Sequence, residues 1–148
     1  MTTYTQILYQ IVFGTKNREF TLVEEGREEL FRYIWGILKQ KKCLMYRIRG
    51  IEDHIHILTS LHPTIALSEL LKDIKVSSSK FIKEAQIFPN FGSWQNGYGA
   101  FTYSYHAKDN LIEYIKNQKE HHKTISFLDE YKILLTEFNI EFDEKYLL

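Results

Sequence analysis

The run Asp53-His54-Ile55-His56-Ile57-Leu58 sets two histidines one residue apart in a stretch of aliphatic side chains. Alternate side chains of a strand share a face, so the two imidazoles point the same way, about 7 Å apart at the backbone, while Ile55 and Ile57 point to the other side. Imidazoles so placed can converge on one metal ion at about 2.1 Å each. The same spacing also serves two polar side chains on a half-exposed face, so the pair alone leaves ligation open. Asp53 is assigned to the turn ahead of the strand rather than to orienting His54.

A second pattern lies in Asn110-Leu111-Ile112-Glu113-Tyr114-Ile115-Lys116-Asn117-Gln118. Leu111, Ile112 and Ile115 mark the buried side of a helix, whereas Asn110, Tyr114, Gln118 and His121 or His122 recur at helical spacing on a polar side. Tyr114 and Gln118 are therefore neighbours. By itself such a tyrosine reads as packing; beside a metal its hydroxyl becomes a candidate nucleophile.

These residues need elements to hold them. Residues 4–13 are rich in β-branched and aromatic side chains and stop at Gly14, as a first strand does, and a loop with Lys16 and Arg18 follows. Residues 21–42 carry Leu30, Tyr33, Ile34, Ile37 and Leu38 at helical spacing behind an acid-rich first turn. Residues 44–51 and 54–61 are strand-like and separated by Glu52-Asp53, which predicts a hairpin. A helix capped by Thr64 or Ser68 runs to about residue 85, then comes a glycine- and aromatic-rich loop at 89–99. A fourth strand at 100–105, a helix from Asp109 or Asn110 to about 122 and a short helix at 127–138 complete the chain. This order predicts a ferredoxin-like α+β fold, an antiparallel sheet with helices packed on one face, plus a C-terminal helix carrying Tyr114 and a short terminal helix.

At 148 residues the chain fits one domain, 1–148, and excludes a multidomain enzyme. Its 44% hydrophobic and 15% aromatic content excludes a disordered chain, since enough apolar surface is available to offset ordering entropy. Cys43 is the lone cysteine, so neither an intrachain disulfide nor a cysteine zinc cluster forms and a reducing setting is expected. No signal sequence opens the chain and no apolar run approaches the ~20 residues of a membrane span, which predicts a cytoplasmic protein with no membrane partner. Net charge is zero, yet Arg32, Lys39, Lys41, Lys42, Arg47 and Arg49 follow one another without an acid, whereas the segment after residue 128 is acidic. A field segregated in this way can bind a polyanion while the sum stays neutral.

Taken together, His54-Ile55-His56, the helical Tyr114 with Gln118 one turn later, and the phrases WQNGYGAF and YIKNQKEHH resemble the single-tyrosine transposases of the HUH superfamily, small enzymes of insertion sequences. The resemblance runs from the first strand with its FGTKNR loop to the terminal DEKYLL. Asn117 is followed by Gln118 rather than proline, so the insertion-sequence branch fits better than the repeat-associated one. The resemblance implies that His54, His56 and Gln118 bind a divalent cation, Mg²⁺ or Mn²⁺, and that Tyr114 attacks a phosphodiester of single-stranded DNA, leaving a 5′-phosphotyrosine. It also implies recognition of DNA hairpins and a homodimer. A tyrosine of pKa ~10 is only about one part in a thousand ionised at pH 7, a cost of roughly 4 kcal/mol, so the phosphate must be activated from elsewhere. The imidazoles themselves suit transition metals better than magnesium.

For DNA contact the candidates are Lys16 and Arg18, then Lys75, Ser78, Ser79, Lys80 and Lys83 on the second long helix, and Trp94 for base stacking. Three other readings compete. Gly97 to Tyr103 partly matches the aromatic strand signature of RNA-recognition motifs, but Ala100 stands where an aromatic is needed. A metal-dependent nuclease would use the same histidines with water and release its product. A domesticated copy would bind hairpin DNA without mobilising it.

Overall fold

The computed structural model describes residues 2–147. Strands β1 (Leu8–Gly14), β2 (Met45–Gly50), β3 (His54–Ser60) and β4 (Gly99–Thr102) form one antiparallel sheet in the order β2-β3-β1-β4. Helix α1 (Glu24–Gln40) joins β1 to β2, and α2 (Leu67–Ala85) joins β3 to β4. Both crossovers lie on one face, as the ferredoxin-like pattern requires. Three further helices, α3 (Lys108–Lys116), α4 (Gln118–His121) and α5 (Phe127–Glu137), follow the last strand.

The two-residue period of the strands divides the interior. Ile11 and Phe13 of β1, Ile48 of β2, and Ile55 and Ile57 of β3 pack with Leu30, Phe31, Ile34 and Leu38 of α1 and with Leu70, Leu71 and Ile74 of α2. The other sheet face is covered too. Leu8 and Leu58 meet Leu111 and Ile115 of α3, while Val12 and Phe101 meet Phe127, Tyr131, Leu134 and Leu135 of α5. Between these two apolar patches the same face carries Gln10, His54 and His56, all fully buried.

The hairpin expected at Glu52-Asp53 forms, with β2 and β3 in antiparallel register and an irregularity between Met45 and Arg47. Gly50 permits its tight end, because a Cβ there would collide with the backbone carbonyl of His54. Neither Thr64 nor Ser68 caps α2; Ala66 holds that position and makes no side-chain cap bond. The predicted helix to residue 122 is divided at Asn117, whose backbone (φ −94°, ψ 21°) leaves the helical region between α3 and α4. Among the described residues no helix is long and apolar enough to cross a membrane.

Candidate active site

β3 supplies the centre of the site. His54 and His56 face away from α1 and α2, with ring centroids 5.1 Å apart. Across the β1 ladder His54 stands opposite Gly14 and His56 opposite Val12. The glycine is needed there, since a Cβ would come within 2.7 Å of the Phe127 ring and 2.8 Å of the Asp53 carbonyl oxygen. Phe127 lies flat on His54, rings parallel within 1° at 3.9 Å.

Each imidazole is held through Nδ1. The Asp53 carboxylate accepts from His54 Nδ1 at 2.7 Å and Oε1 of Gln10 accepts from His56 Nδ1 at 2.8 Å. The Asp53 side chain, expected to serve only the turn, therefore orients His54, while its backbone carbonyl accepts from Thr15. A histidine whose Nδ1–H is engaged presents the lone pair of Nε2, the atom a metal takes.

α3 and α4 bring Tyr114 and Gln118 over these rings. Gln118 Oε1 lies 3.2 Å from His54 Nε2 and 2.9 Å from Nε2 of His122, and its amide donates to Glu130 Oε2 at 3.2 Å. The Tyr114 hydroxyl donates to the same Oε2 of Glu130 and lies 3.4 Å from His121 Nε2. Hence all four residues singled out in the sequence, His54, His56, Tyr114 and Gln118, meet at one place.

Two residues not assigned to the site are also there. His122, just past α4, has its Nδ1 tied to the Ile125 carbonyl at 2.6 Å. Glu130 of α5 lies with Oε1 3.3 Å from His54 Nε2, 2.9 Å from His56 Nε2 and 3.0 Å from His122 Nε2. Ligand atoms of His54, His56, His122 and Glu130 all fall within 4.8 Å of one another. The sequence held a signal for Glu130: it shares the helix face of Phe127, Tyr131 and Leu134, where a carboxylate is out of place unless paired.

The electrostatics follow from this burial. Burial works against the Glu130 anion, but the imidazoles of His56, His122 and His54 gathered around it outweigh burial and hold the carboxyl well below its ordinary range. Burial, then the charge of Glu130, pushes Tyr114 well above the usual phenol value, so its hydroxyl stays protonated. Burial lowers His56, whereas for His54 the bonds to Asp53 and Glu130 overcome burial and raise it. With every Nδ1–H already spent, three ring nitrogens and two oxygens face one another as lone pairs unless the buried rings take extra protons. A divalent cation among them would satisfy all five, so the donor set fits a metal.

The expected DNA-contact residues divide. Lys16 and Arg18 lie exposed in a single helical turn after β1, with Asn17 and Arg18 at positive φ. Ser79, Lys80 and Lys83 border an open concavity with Lys75 and Trp94. Trp94, read as a stacking platform, is only 6% exposed: it packs edge-on against Phe13 and Phe91 and donates Nε1–H to Ser78. Lys75 is likewise spent within the fold, donating to the carbonyls of Gln95 and Gly97 and lying over the rings of Phe13 and Tyr98. Beside Tyr114 a second cleft of about 440 Å³ opens between α3 and α5, with Gln10, Asn110, His121 and Glu137 among apolar walls.

Residues 3–118 match the family described as "Transposase IS200 like". A curated relative, the ISDra2 transposase TnpA of Deinococcus radiodurans, is 24% identical over 120 residues, covering 78% of this chain and 86% of its own length. Among solved structures, one described as a transposase of Deinococcus radiodurans superimposes with a TM-score of 0.64 at 24% identity, covering 80% of this chain and 95% of that one. A REP-associated tyrosine transposase bound to a REP hairpin superimposes with a TM-score of 0.60 at 15% identity, covering 84% of this chain and 76% of that one.

Proposed function

The chain belongs to the IS200-like transposase family and is a DNA transposase, and from that premise we propose that it cleaves and rejoins single-stranded DNA through Tyr114. The hydroxyl oxygen of Tyr114 attacks a backbone phosphorus, the bond to the 3′ oxygen breaks, and a 5′-phosphotyrosine ester forms. Because the phenol remains protonated until attack, its proton must leave during the step; it passes along the hydrogen bond to Glu130 Oε2 and, since that carboxylate is held well below its ordinary range, on to solvent. The departing 3′ oxygen takes up a proton as it leaves. The ester keeps the energy of the phosphodiester, so a 3′-hydroxyl rejoins the strand by the reverse attack without ATP.

His54, His56 and Gln118 are assigned to a divalent cation, Mg²⁺ or Mn²⁺, which when bound neutralises phosphate charge and orients the phosphate for in-line attack. The observation that carries this reading is the convergence of Tyr114 with both strand histidines and Gln118 around one buried carboxylate. Lys16, Arg18, Ser79, Lys80 and Lys83 are assigned to phosphate contact. Lys75 and Trp94 shape the concavity from beneath. A DNA hairpin as the recognised form, as in the REP-associated neighbour, a homodimer and a cytoplasmic location complete the proposal.

The test is an SDS-resistant adduct assay with labelled single-stranded DNA from the flanks of the gene. A Mn²⁺- or Mg²⁺-dependent covalent band, lost with EDTA and lost in Tyr114→Phe while DNA binding persists, is the expected result. Release of unattached fragments would assign the site to hydrolysis instead.

A further inference from the structure

We propose that His122 and Glu130 are metal ligands themselves, so that the centre takes its ion through three imidazole nitrogens, one carboxylate oxygen and the Gln118 amide oxygen. The inference rests on the reading that His54, His56 and Gln118 hold a divalent cation, and it adds donors from beyond residue 118, where the family match ends.

His122 is prepared as the strand histidines are. Its Nδ1 is bound to the Ile125 carbonyl, its side chain is 3% exposed, and its Nε2 points at the atoms that His54 and His56 face. Glu130, with a side chain 2% exposed, is placed one turn into α5, after Ser126 caps that helix by accepting from the Asp129 amide. A counter-ion role does not account for the geometry. For Oε1 of Glu130 to accept from all three Nε2 atoms, three buried imidazolium ions would have to share one carboxylate. A cation at the shared focus removes that requirement.

The enlarged set has two consequences. Three imidazoles and a carboxylate favour Mn²⁺ or another transition ion over Mg²⁺, which demands mostly oxygen ligands. With five protein donors, an ion that takes six ligands would have one position left for a phosphate oxygen. The remaining oxygen of Glu130 holds the Tyr114 hydroxyl, so a single side chain spaces the nucleophile from the ion.

The experiment is Mn²⁺ and Mg²⁺ binding to the full chain, by calorimetry and by the paramagnetic resonance of free Mn²⁺, for wild type, His54→Ala, His122→Ala, Glu130→Gln and Glu130→Asp. Loss of at least about tenfold in Mn²⁺ affinity is expected for His122→Ala and Glu130→Gln, since even residues that only orient ligands cost 10–100-fold. Glu130→Asp is expected to fall between wild type and Glu130→Gln. His122→Ala should also narrow the preference for Mn²⁺ over Mg²⁺, whereas a folding defect lowers both affinities together. Unchanged affinity in His122→Ala and Glu130→Gln, with His54→Ala impaired, overturns the added ligands and spares the original three. Tighter binding in Glu130→Gln would make the carboxylate a plug and also overturn the proposal. A wild-type chain that binds neither ion would remove the underlying reading with it.

Discussion

Gln10 on β1 and His56 on β3 are joined side chain to side chain, Oε1 of the amide accepting from Nδ1 of the imidazole at 2.8 Å. The amide is itself fixed, because its nitrogen donates to the Tyr103 hydroxyl at 2.8 Å. Burial pushes Tyr103 up to about 12, which keeps that hydroxyl neutral near pH 7. The ring orientation of a β3 residue is thus decided by β1 and by the segment just after β4.

Gln10→Leu keeps most of the volume and removes the acceptor. It is expected to weaken Mn²⁺ binding about 10–100-fold and to cost about 1–3 kcal/mol of stability through the unpaired Nδ1–H. Calorimetric titration and chemical denaturation check the two effects separately. Unaltered metal affinity would reduce Gln10 to a packing residue.

Phe127 joins the α5 core to the ring of His54, being 2% exposed and stacked on both His54 and Tyr131. Phe127→Ala should lower stability by about 3–5 kcal/mol, seen as a fall in the urea midpoint with the slope unchanged. Covalent adduct formation should slow as well, because His54 loses the wall that holds its plane.

Lys75 is half enclosed, and burial lowers its ammonium to about 8. The unfolded chain keeps that proton to about 10.5, so between these pH values the unfolded state binds more protons and stability rises with pH. Below about 8 both states are protonated and the native state carries the cost of the partly buried charge. The stability difference between wild type and Lys75→Met, measured from pH 7 to 10.5, should grow in favour of wild type above pH 8. A flat difference would contradict the lowered value.

Lys80 and Lys83 remain exposed on α2 at the edge of the concavity that Trp94 floors. Replacing either with alanine is expected to weaken single-stranded DNA binding for all sequences alike and to reduce the logarithmic salt slope by ~0.7. Titrations at several salt concentrations decide it, and an unchanged slope removes that lysine from the interface.

Much of the fold was legible because periodicity reports which side chains are buried. The alternation in β3 placed His54 and His56 on one face, and the one-turn spacing placed Gln118 beside Tyr114. Periodicity says nothing of a backbone break that preserves the facing side, so the interruption at Asn117 was invisible. Glu130 was obscured by its acidic neighbourhood, where Asp129 and Glu137 are exposed and only Glu130 turns inward. Trp94 misled for the opposite reason: a glycine-rich loop suggests exposure, yet Phe13, Phe91 and Ser78 enclose the indole. Asp53 serves the turn through its backbone and His54 through its carboxylate, a double duty that residue type alone does not reveal.

A ribosome synthesising this chain adds both strand histidines and Tyr114 before it reaches Glu130. At roughly 5–20 residues per second, several seconds separate His56 from the carboxylate that faces its Nε2. A nascent chain stopped before α5 lacks both Phe127 over His54 and the Glu130 acceptor for the Tyr114 hydroxyl. Translation therefore times assembly of the site: Tyr114 gains the partner of its hydroxyl only when synthesis of the last helix is under way.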